Sequence, residues 1–462
     1  MSASTDKKIS EKDLSPDQLE VFEAIQDWVS SPHSDFIAPG GASSGELGFR
    51  DSQVQSGLLT VGGYAGTGKS TLLGVLAAST DLLVAYVTYT GRAASVLNRK
   101  LRASGVETTT LLRRADEDAE RGLESYFDPS LKASSGPPLC TTIHRLLYRP
   151  VIDPKTEELR GWVKRSRLDR DYDLIVIDEG SMVGDEILQD LQRWGVPILA
   201  VGDHGQLPPV MASGDLMQNP DLKLEKIHRQ AEKSPIIALS RHIREGGKIR
   251  DFKGHLLIPG APEAAIDFRA KQDLPEALID AYITSCPLSI LDVGVLCWTN
   301  RTRCKLNGAA RKALEYAGPP RKEEPVICLK NKPPVYNGMR GLLTEDSKLR
   351  EGQPWLLDAS VAFPDEGLPA SPKTLCAPQF FREKTFASVE ELQERGVSVY
   401  SMSSAGEMYD MGYAMTVHKS QGSQFSHVLL YVDRAENPWE EESRRYFYTA
   451  VTRASERLTI LQ

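Results

Sequence analysis

Eight residues constrain this chain more than any others: Gly63-Tyr64-Ala65-Gly66-Thr67-Gly68-Lys69-Ser70. They match G-x-x-x-x-G-K-[ST] in full, and they lie between an apolar run, GLLTVGG, and a helical run, TLLGVLAAS. Strand, glycine-rich turn and helix in that order make a cradle for phosphate. Glycines let the backbone curl until successive N–H groups and a helix N-terminus converge on one anion. The expected phosphate-binding segment is Gly63, Ala65, Gly66, Thr67, Gly68, Lys69, Ser70 and Thr71. Within it Lys69 is placed to reach β- and γ-phosphates, and Ser70 to give a hydroxyl to Mg2+.

About a hundred residues later, Asp178 and Glu179 close the run DLIVIDE, at the carboxyl end of a strand, where open α/β sheets bind ligands. Asp178 is the expected metal partner. Glu179 is placed to orient and deprotonate an attacking water, since phosphoryl transfer needs positioning more than covalent chemistry. Adjacent carboxylates at a strand end are often only solvated; their coupling to the phosphate loop favours the catalytic reading.

The surrounding pattern is that of an α/β chain. Short apolar runs (LLTVGG, LLVAYVTY, DLIVIDEG, PILAVGD) alternate with helical stretches, the order of a parallel sheet covered on both faces. A helix starts behind Ser15-Pro16, and a Gly-, Ser- and Pro-rich loop covers about Ser30 to Ser56. With 462 residues the chain exceeds one ordinary core, and SILDVGVLCWTN opens a second α/β unit. The expected division is therefore near Gly260, into domains 1–260 and 261–462. Between about 330 and 408 the helical signals fade and turn residues separate short strand-like pieces, which predicts a small β insertion.

A formal net charge of −8 excludes a protein that coats nucleic acid through a broad basic face; any strand contact must be local. No run approaches the roughly 18 apolar residues of a membrane span, and the start lacks the apolar core of a signal peptide, so the expectation is a cytoplasmic chain with no membrane partner. The six cysteines form no C-x-x-C pair, which argues against a zinc ribbon and reads as buried thiols.

What hydrolysis would drive has to come from other motifs. Leu199 to Val210, LAVGDHGQLPPV, resembles motif III of superfamily 1 helicases, where the glutamine senses the γ-phosphate; Gln206 is the matching residue. Ala414 to Phe425, AMTVHKSQGSQF, resembles motif V, and Tyr448 to Ala454, YTAVTRA, resembles motif VI with its arginine finger, here Arg453. Gln18 looks like the adenine-reading glutamine, Thr88 to Ala94 like motif Ia, Thr142-Ile143-His144 like motif Ib, and His228-Arg229-Gln230 like motif IV. The spelling T-V-H-K-S-Q-G, with VYNGMRG from Val335 to Gly341 ahead of it, is most similar to the RecD and phage Dda-type helicases. Gly180 departs from the family's usual Ala after Asp-Glu, and Gln424 from a frequent Glu that bears on a ribose contact.

This resemblance implies two RecA-like P-loop NTPase domains, a wedge insertion at about 105–139 in the first and an SH3-like β insertion in the second. It implies ATP and Mg2+ as cofactors, single-stranded and forked DNA as partners, 5′→3′ movement, and a monomer working in replication, recombination or repair with proteins of those processes. The implied catalytic set is Lys69, Glu179, Gln206, Arg229 and Arg453, with Ser70 and Asp178 on the metal and Gln18 and Gly422 on the nucleotide. Arg229 and Arg453 are far from the phosphate loop in sequence and would reach a γ-phosphate only across an interdomain cleft that ATP closes; a capping or surface role for Arg229 also fits. Strand contacts are expected from Thr90, His144, Thr299, Asn300, Thr416 and His418. The two histidines read equally as hydrogen-bonded core residues, and Trp298 as a stacking platform or a buried strand end. Arg92, Arg99, Lys100, Arg102, Arg113 and Arg114 read as phosphate contacts or as a solvated helix face. A translocase that strips proteins or runs on RNA, and a non-catalytic complex subunit, remain alternatives.

Overall fold

The computed structural model describes residues 10–31, 57–113, 127–128, 130, 132–152, 159–209, 214–227, 234–252, 257–258, 261–285, 289–330, 335, 337–351, 353–366, 368–376 and 406–462. Its chain forms two compact units, Met1–Glu232 and Lys233–Gln462.

In the first unit, α1 (Pro16–Ser30) buries Val21, Phe22, Ile25 and Trp28, the helical stripe legible behind Ser15-Pro16. Five strands follow at intervals: β1 (Leu58–Gly63), β2 (Val84–Thr88), the short β3 (Leu112–Arg113) and β4 (Phe127–Asp128), and β5 (Leu139–Thr142). Between and after them come α2 (Lys69–Ser79), α3 (Gly91–Ala103) and α4 (Ile143–Leu147). The unit continues with β6 (Tyr148–Ile152), β7 (Leu159–Lys164), β8 (Leu174–Asp178), α5 (Asp185–Gln192), β9 (Ile198–Gly202) and β10 (Leu222–Leu224). The main sheet runs β10-β1-β9-β8-β2-β5, parallel throughout. Alternate strand residues feed its two faces: Leu174 and Val176 pack with α1, α2 and α3, while Ile175 and Ile177 pack with α4 and α5. β3 pairs β4, and β6 forms an antiparallel hairpin with β7. Of the stretch expected to hold a wedge, residues 114–126, 129 and 131 lie outside the described residues, as do residues 32–56 of the loop expected from about Ser30 to Ser56.

The second unit opens with α6 (Pro235–Arg244), whose Ile236, Leu239 and Ile243 are buried. This helix packs on the strands Ala261–Arg269 and Ala454–Leu461 and on the helix Glu441–Val451 of its own unit, so the division falls before it and not near Gly260. The expectation put α6 with the first domain because a charged helix carries no signal of which sheet it will cover. There follow β11 (Leu257–Ile258), β12 (Ala261–Arg269), α7 (Leu274–Ile279), β13 (Val293–Cys297) and α8 (Asn300–Ala313). Next are β14 (Pro325–Cys328), β15 (Arg340–Leu343), β16 (Lys348–Arg350), β17 (Gln353–Phe363), β18 (Leu368–Cys376) and β19 (Tyr409–Met411). The chain ends with β20 (Ala414–Thr416), α9 (Val417–Ser420), β21 (Phe425–Tyr431), α10 (Glu441–Val451) and β22 (Ala454–Leu461). One sheet runs β11-β12-β22-β21-β13-β20, parallel from β12 onward; the other is antiparallel and is built from β14 to β19.

Buried polar groups bolt these two sheets together. Arg303 on α8 meets Asp410 on β19 at 2.7 Å, both nearly fully buried. Asn307 donates to Met411 O (2.9 Å) and accepts from Ala414 N (2.8 Å). Arg311 makes two bonds to Glu324 (2.7 and 3.1 Å), which also accepts from the Tyr413 hydroxyl (3.0 Å). Arg340 donates from Nη1 to Leu291 O and Val293 O, each at 3.1 Å. Among the described residues no helix is long and apolar enough to cross a membrane.

Candidate active site

Strand register brings the first unit's sequence motifs to one edge. Gly62 of β1 is level with Gly202 of β9, and Asp178 of β8 is level with Thr88 of β2, which is level with Thr142 of β5. Because every strand is parallel, the loops that leave these positions emerge on the same side. In order along the edge stand the phosphate loop, Asp203 to Gln206, Asp178-Glu179, Thr90 and His144.

The loop holds its shape through backbone conformations that side chains rarely adopt: Gly66 has φ 82° and Gly68, which caps α2, has φ 77°. Gln18 is wholly buried and braces it, donating from Nε2 to Thr67 O (3.1 Å) and Gly68 O (3.2 Å) while its Oε1 accepts from Ser15 N (3.0 Å). Its amide thus ties the first turn of α1 to the loop backbone. Lys69 donates to Gly63 O (2.5 Å) and Tyr64 O (3.0 Å), and lies 3.9 Å from Asp203 Oδ2. Ser70 Oγ accepts from Lys100 Nζ at 2.8 Å. Thr71 is half-buried on α2.

Asp178 ends β8 with its Oδ1 accepting from Glu179 N (3.0 Å). Burial, and then the neighbouring Glu179 charge, push its carboxyl up to about 6, against the opposing pull of Lys100 and Lys69. Glu179 itself takes left-handed backbone angles, φ 57° and ψ 43°, uncommon for a residue with a side chain. Next to it, Gly180 answers one departure of the sequence: an added Cβ would come to 2.9 Å from the Met217 methyl and 3.3 Å from Val201 O. Buried Gln206 donates from Nε2 to Asp203 Oδ2 (3.4 Å), and its Oε1 has no hydrogen-bond partner. Ser70 and Asp178 offer oxygen only, a donor set suited to Mg2+, and left-handed glycines beside them leave backbone N–H groups for phosphate.

Thr90 caps α3, its hydroxyl accepting from Ala93 N (3.2 Å). His144 sits on α4 between the rings of Tyr89 and Tyr148, with centroids at 5.6 and 5.8 Å, and burial lowers its pKa. In the second unit, Cys297 is level with Thr416, so Thr299, Asn300 and His418 follow from neighbouring strand ends. Thr299 caps α8, and burial lowers the pKa of His418. Trp298 is covered: Arg434 Cζ stands 4.2 Å from its ring centroid, and the His418 and Tyr446 rings lie at 5.1 and 4.7 Å. Gly422 has φ 69°. Arg453, 3% exposed, donates to Thr449 O and Ser423 O, both at 3.2 Å, and so joins the end of α10 to the start of β21. Arg229 and Arg114 lie outside the described residues.

Two comparisons with protein families add to this geometry. Residues 52–255 match an AAA domain, and residues 411–461 match a UvrD-like helicase C-terminal domain. Together the two matches make the chain similar to superfamily 1 helicases of RecD/Pif1-like type. Among the relatives is the ATP-dependent RecD2 DNA helicase of Deinococcus radiodurans, 26% identical over 333 residues, which are 69% of this chain and 39% of the relative. The chain thus spans well under half of that relative's length. An uncharacterised protein of Acanthamoeba polyphaga mimivirus is 34% identical over 100 residues, 19% of this chain and 20% of that one. A solved structure of the Pif1 helicase from Bacteroides with ADP-AlF3 and single-stranded DNA covers 96% of this chain and 92% of its own, at 18% identity and a TM-score of 0.48.

Sequence reasoning passed over two residues in the first unit. Asp203 stands between Lys69 and Gln206, and its signal was available as the Gly-Asp that ends a strand. Lys100 was read only as one of several basic residues; that it meets Ser70 depends on how α3 packs beside α2, which no spacing in the sequence reveals.

Proposed function

We propose that this chain is an ATP-dependent DNA helicase that translocates 5′→3′ on a single strand. The observation that carries the reading is the shared edge of the first sheet: a phosphate loop and paired carboxylates on β1, β9 and β8, with hydroxyl- and imidazole-bearing loops beside them on β2 and β5. A change at the nucleotide then has one short path to the strand, along adjacent loops of a rigid sheet.

In this reading Gly63 to Thr71 bind the phosphates, with Ser70 and Asp178 holding Mg2+. When bound, that ion draws charge from the β- and γ-phosphate oxygens. Glu179, turned by its left-handed backbone, orients the attacking water and accepts its proton at the carboxylate. Gln206 turns its unpartnered Oε1 toward the same water, from which it accepts, and Lys69, Arg229 and Arg453 meet phosphate charge. Gln18 acts on the nucleotide through the loop it braces. Thr90, His144, Thr299, Asn300, Thr416 and His418 contact the strand as neutral hydrogen-bonding groups, which suits a chain of net charge −8. The antiparallel β14–β19 sheet is the SH3-like insertion of this reading, and the wedge belongs to the 105–139 stretch.

The test is release of a labelled strand from duplexes with a single 5′ or 3′ tail, in ATP and Mg2+, with Lys69→Ala as the blank. Release from the 5′-tailed duplex alone supports the proposal. Release from the 3′-tailed duplex alone overturns the polarity, and strand-stimulated ATP hydrolysis without release from either points to a translocase.

A further inference from the structure

Trp439 is 90% exposed, far more than any other large apolar side chain among the described residues. It sits in the turn between β21 and α10, and that turn is ordered. Trp439 N donates to Asn437 Oδ1 (3.2 Å), Asn437 N to Ser443 Oγ (3.0 Å), Glu440 N to Asn437 O (3.1 Å) and the Arg444 guanidinium to Pro438 O (2.6 Å). Four hydrogen bonds therefore hold an indole out in water, where its apolar area gains nothing from the fold.

The root of the turn shows which edge of the sheet it stands on. Asp433 accepts from Trp298 N (2.7 Å) and Thr299 N (3.2 Å), so the turn rises from the same carboxyl edge as Thr299 and Asn300. β20 joins that edge and brings Thr416 with it. Trp298 cannot offer a face there, being covered by Arg434, His418 and Tyr446. The carboxylates around Trp439 are paired: Glu440 and Glu442 with Arg434 (3.1 and 3.2 Å), and Glu441 with Arg445 (2.9 Å). The surroundings are thus built to present a flat ring, not to draw a phosphate.

We propose that Trp439 is a base-stacking residue of the second unit, taking one unpaired nucleobase of the single strand on its indole face. The inference rests on the strand-binding reading above and adds a residue to it. Stacking is tolerant of sequence because every base has a π-face, and it releases no counterions.

The experiment is anisotropy of a fluorescein-labelled oligo-dT over a range of salt, for the wild-type chain, Trp439→Ala and Trp439→Phe. Trp439→Ala should weaken binding about tenfold with the slope of log affinity on log salt unchanged, and Trp439→Phe should retain most of the affinity. Equal melting temperatures for the three show that the fold is intact. Wild-type affinity in Trp439→Ala overturns this inference and leaves the strand reading standing, and so does a loss that comes with a shallower salt slope. No binding by the wild-type chain removes the strand reading itself, and this inference with it.

Discussion

Like charges stand side by side at the carboxyl edge of the first sheet, while opposite charges face each other along the seam between the two sheets of the second unit. Asp178 and Glu179 are adjacent, and burial, then the Glu179 charge, holds the Asp178 carboxyl up at about 6. At the seam Arg303 meets Asp410 and Arg311 meets Glu324. Both places bury charge. In the second the partners offset much of the desolvation and hold the antiparallel sheet to its core. In the first the fold tolerates repulsion, a left-handed Glu179 and an unpartnered Gln206 Oε1 within a few residues. Groups kept against stability mark where a ligand would supply what the protein does not.

The largest test of this contrast lies at the seam. Arg303→Ala leaves Asp410 buried without its cation and should destabilise the second unit by about 3–5 kcal/mol. Replacing both residues by apolar ones of similar volume should recover much of that, as read by urea unfolding. Recovery failing to appear would mean that the pair does more than neutralise itself.

Lys69→Ala tests the opposite side. Removing the ammonium should lower ATP hydrolysis about 10²–10³-fold with only a small fall in melting temperature, because Lys69 donates to two loop carbonyls and approaches Asp203 no closer than 3.9 Å. A large loss of stability would instead make Lys69 a structural clamp.

Acid should sharpen the comparison. The Asp178 pKa is raised in the fold, so the stability tied to its protonated form is complete below its ordinary value near 3.8 and is lost as pH rises through about 6. The ionised form that would ligate Mg2+ follows the reverse course. The Mg2+ needed for half-maximal nucleotide binding should therefore rise about tenfold per pH unit below that point. A requirement that stays flat from pH 7 to pH 5 would show that the Asp178 carboxyl is not raised by its burial and its neighbour.

The smallest change in stability is expected at Glu179. Glu179→Gly relieves the left-handed backbone and should stabilise the first unit by about 0.5–1 kcal/mol while abolishing hydrolysis. Glu179→Gln should abolish hydrolysis with no gain in unfolding free energy. Equal stabilities for the two variants would show that the φ of 57° carries no strain.

Much of the first site was legible because its chemistry is written in contiguous residues. The loop from Gly63 to Ser70 needs its glycines at fixed places in the chain, and Asp178-Glu179 needs only a strand end, so letters and local pattern sufficed. The domain division was not legible, since α6 has an apolar stripe that would fit either sheet. Trp298 and Trp439 show the same limit: the first directly follows an apolar strand and the second lies eight residues beyond one, yet Arg434 covers the first and an ordered turn displays the second.

What the sequence determined by itself was an α/β chain with a phosphate loop, a carboxylate pair and helicase-like motifs, because those depend on neighbours along the backbone. Strand order, and with it the row of loops on one edge, was decided only in three dimensions. So were the Lys100–Ser70 contact, the clamp of Gln18 on the loop and the Arg303–Asp410 seam. Each depends on side chains 30 to 107 residues apart meeting at hydrogen-bonding distance, and only the packing of whole helices and sheets sets such distances.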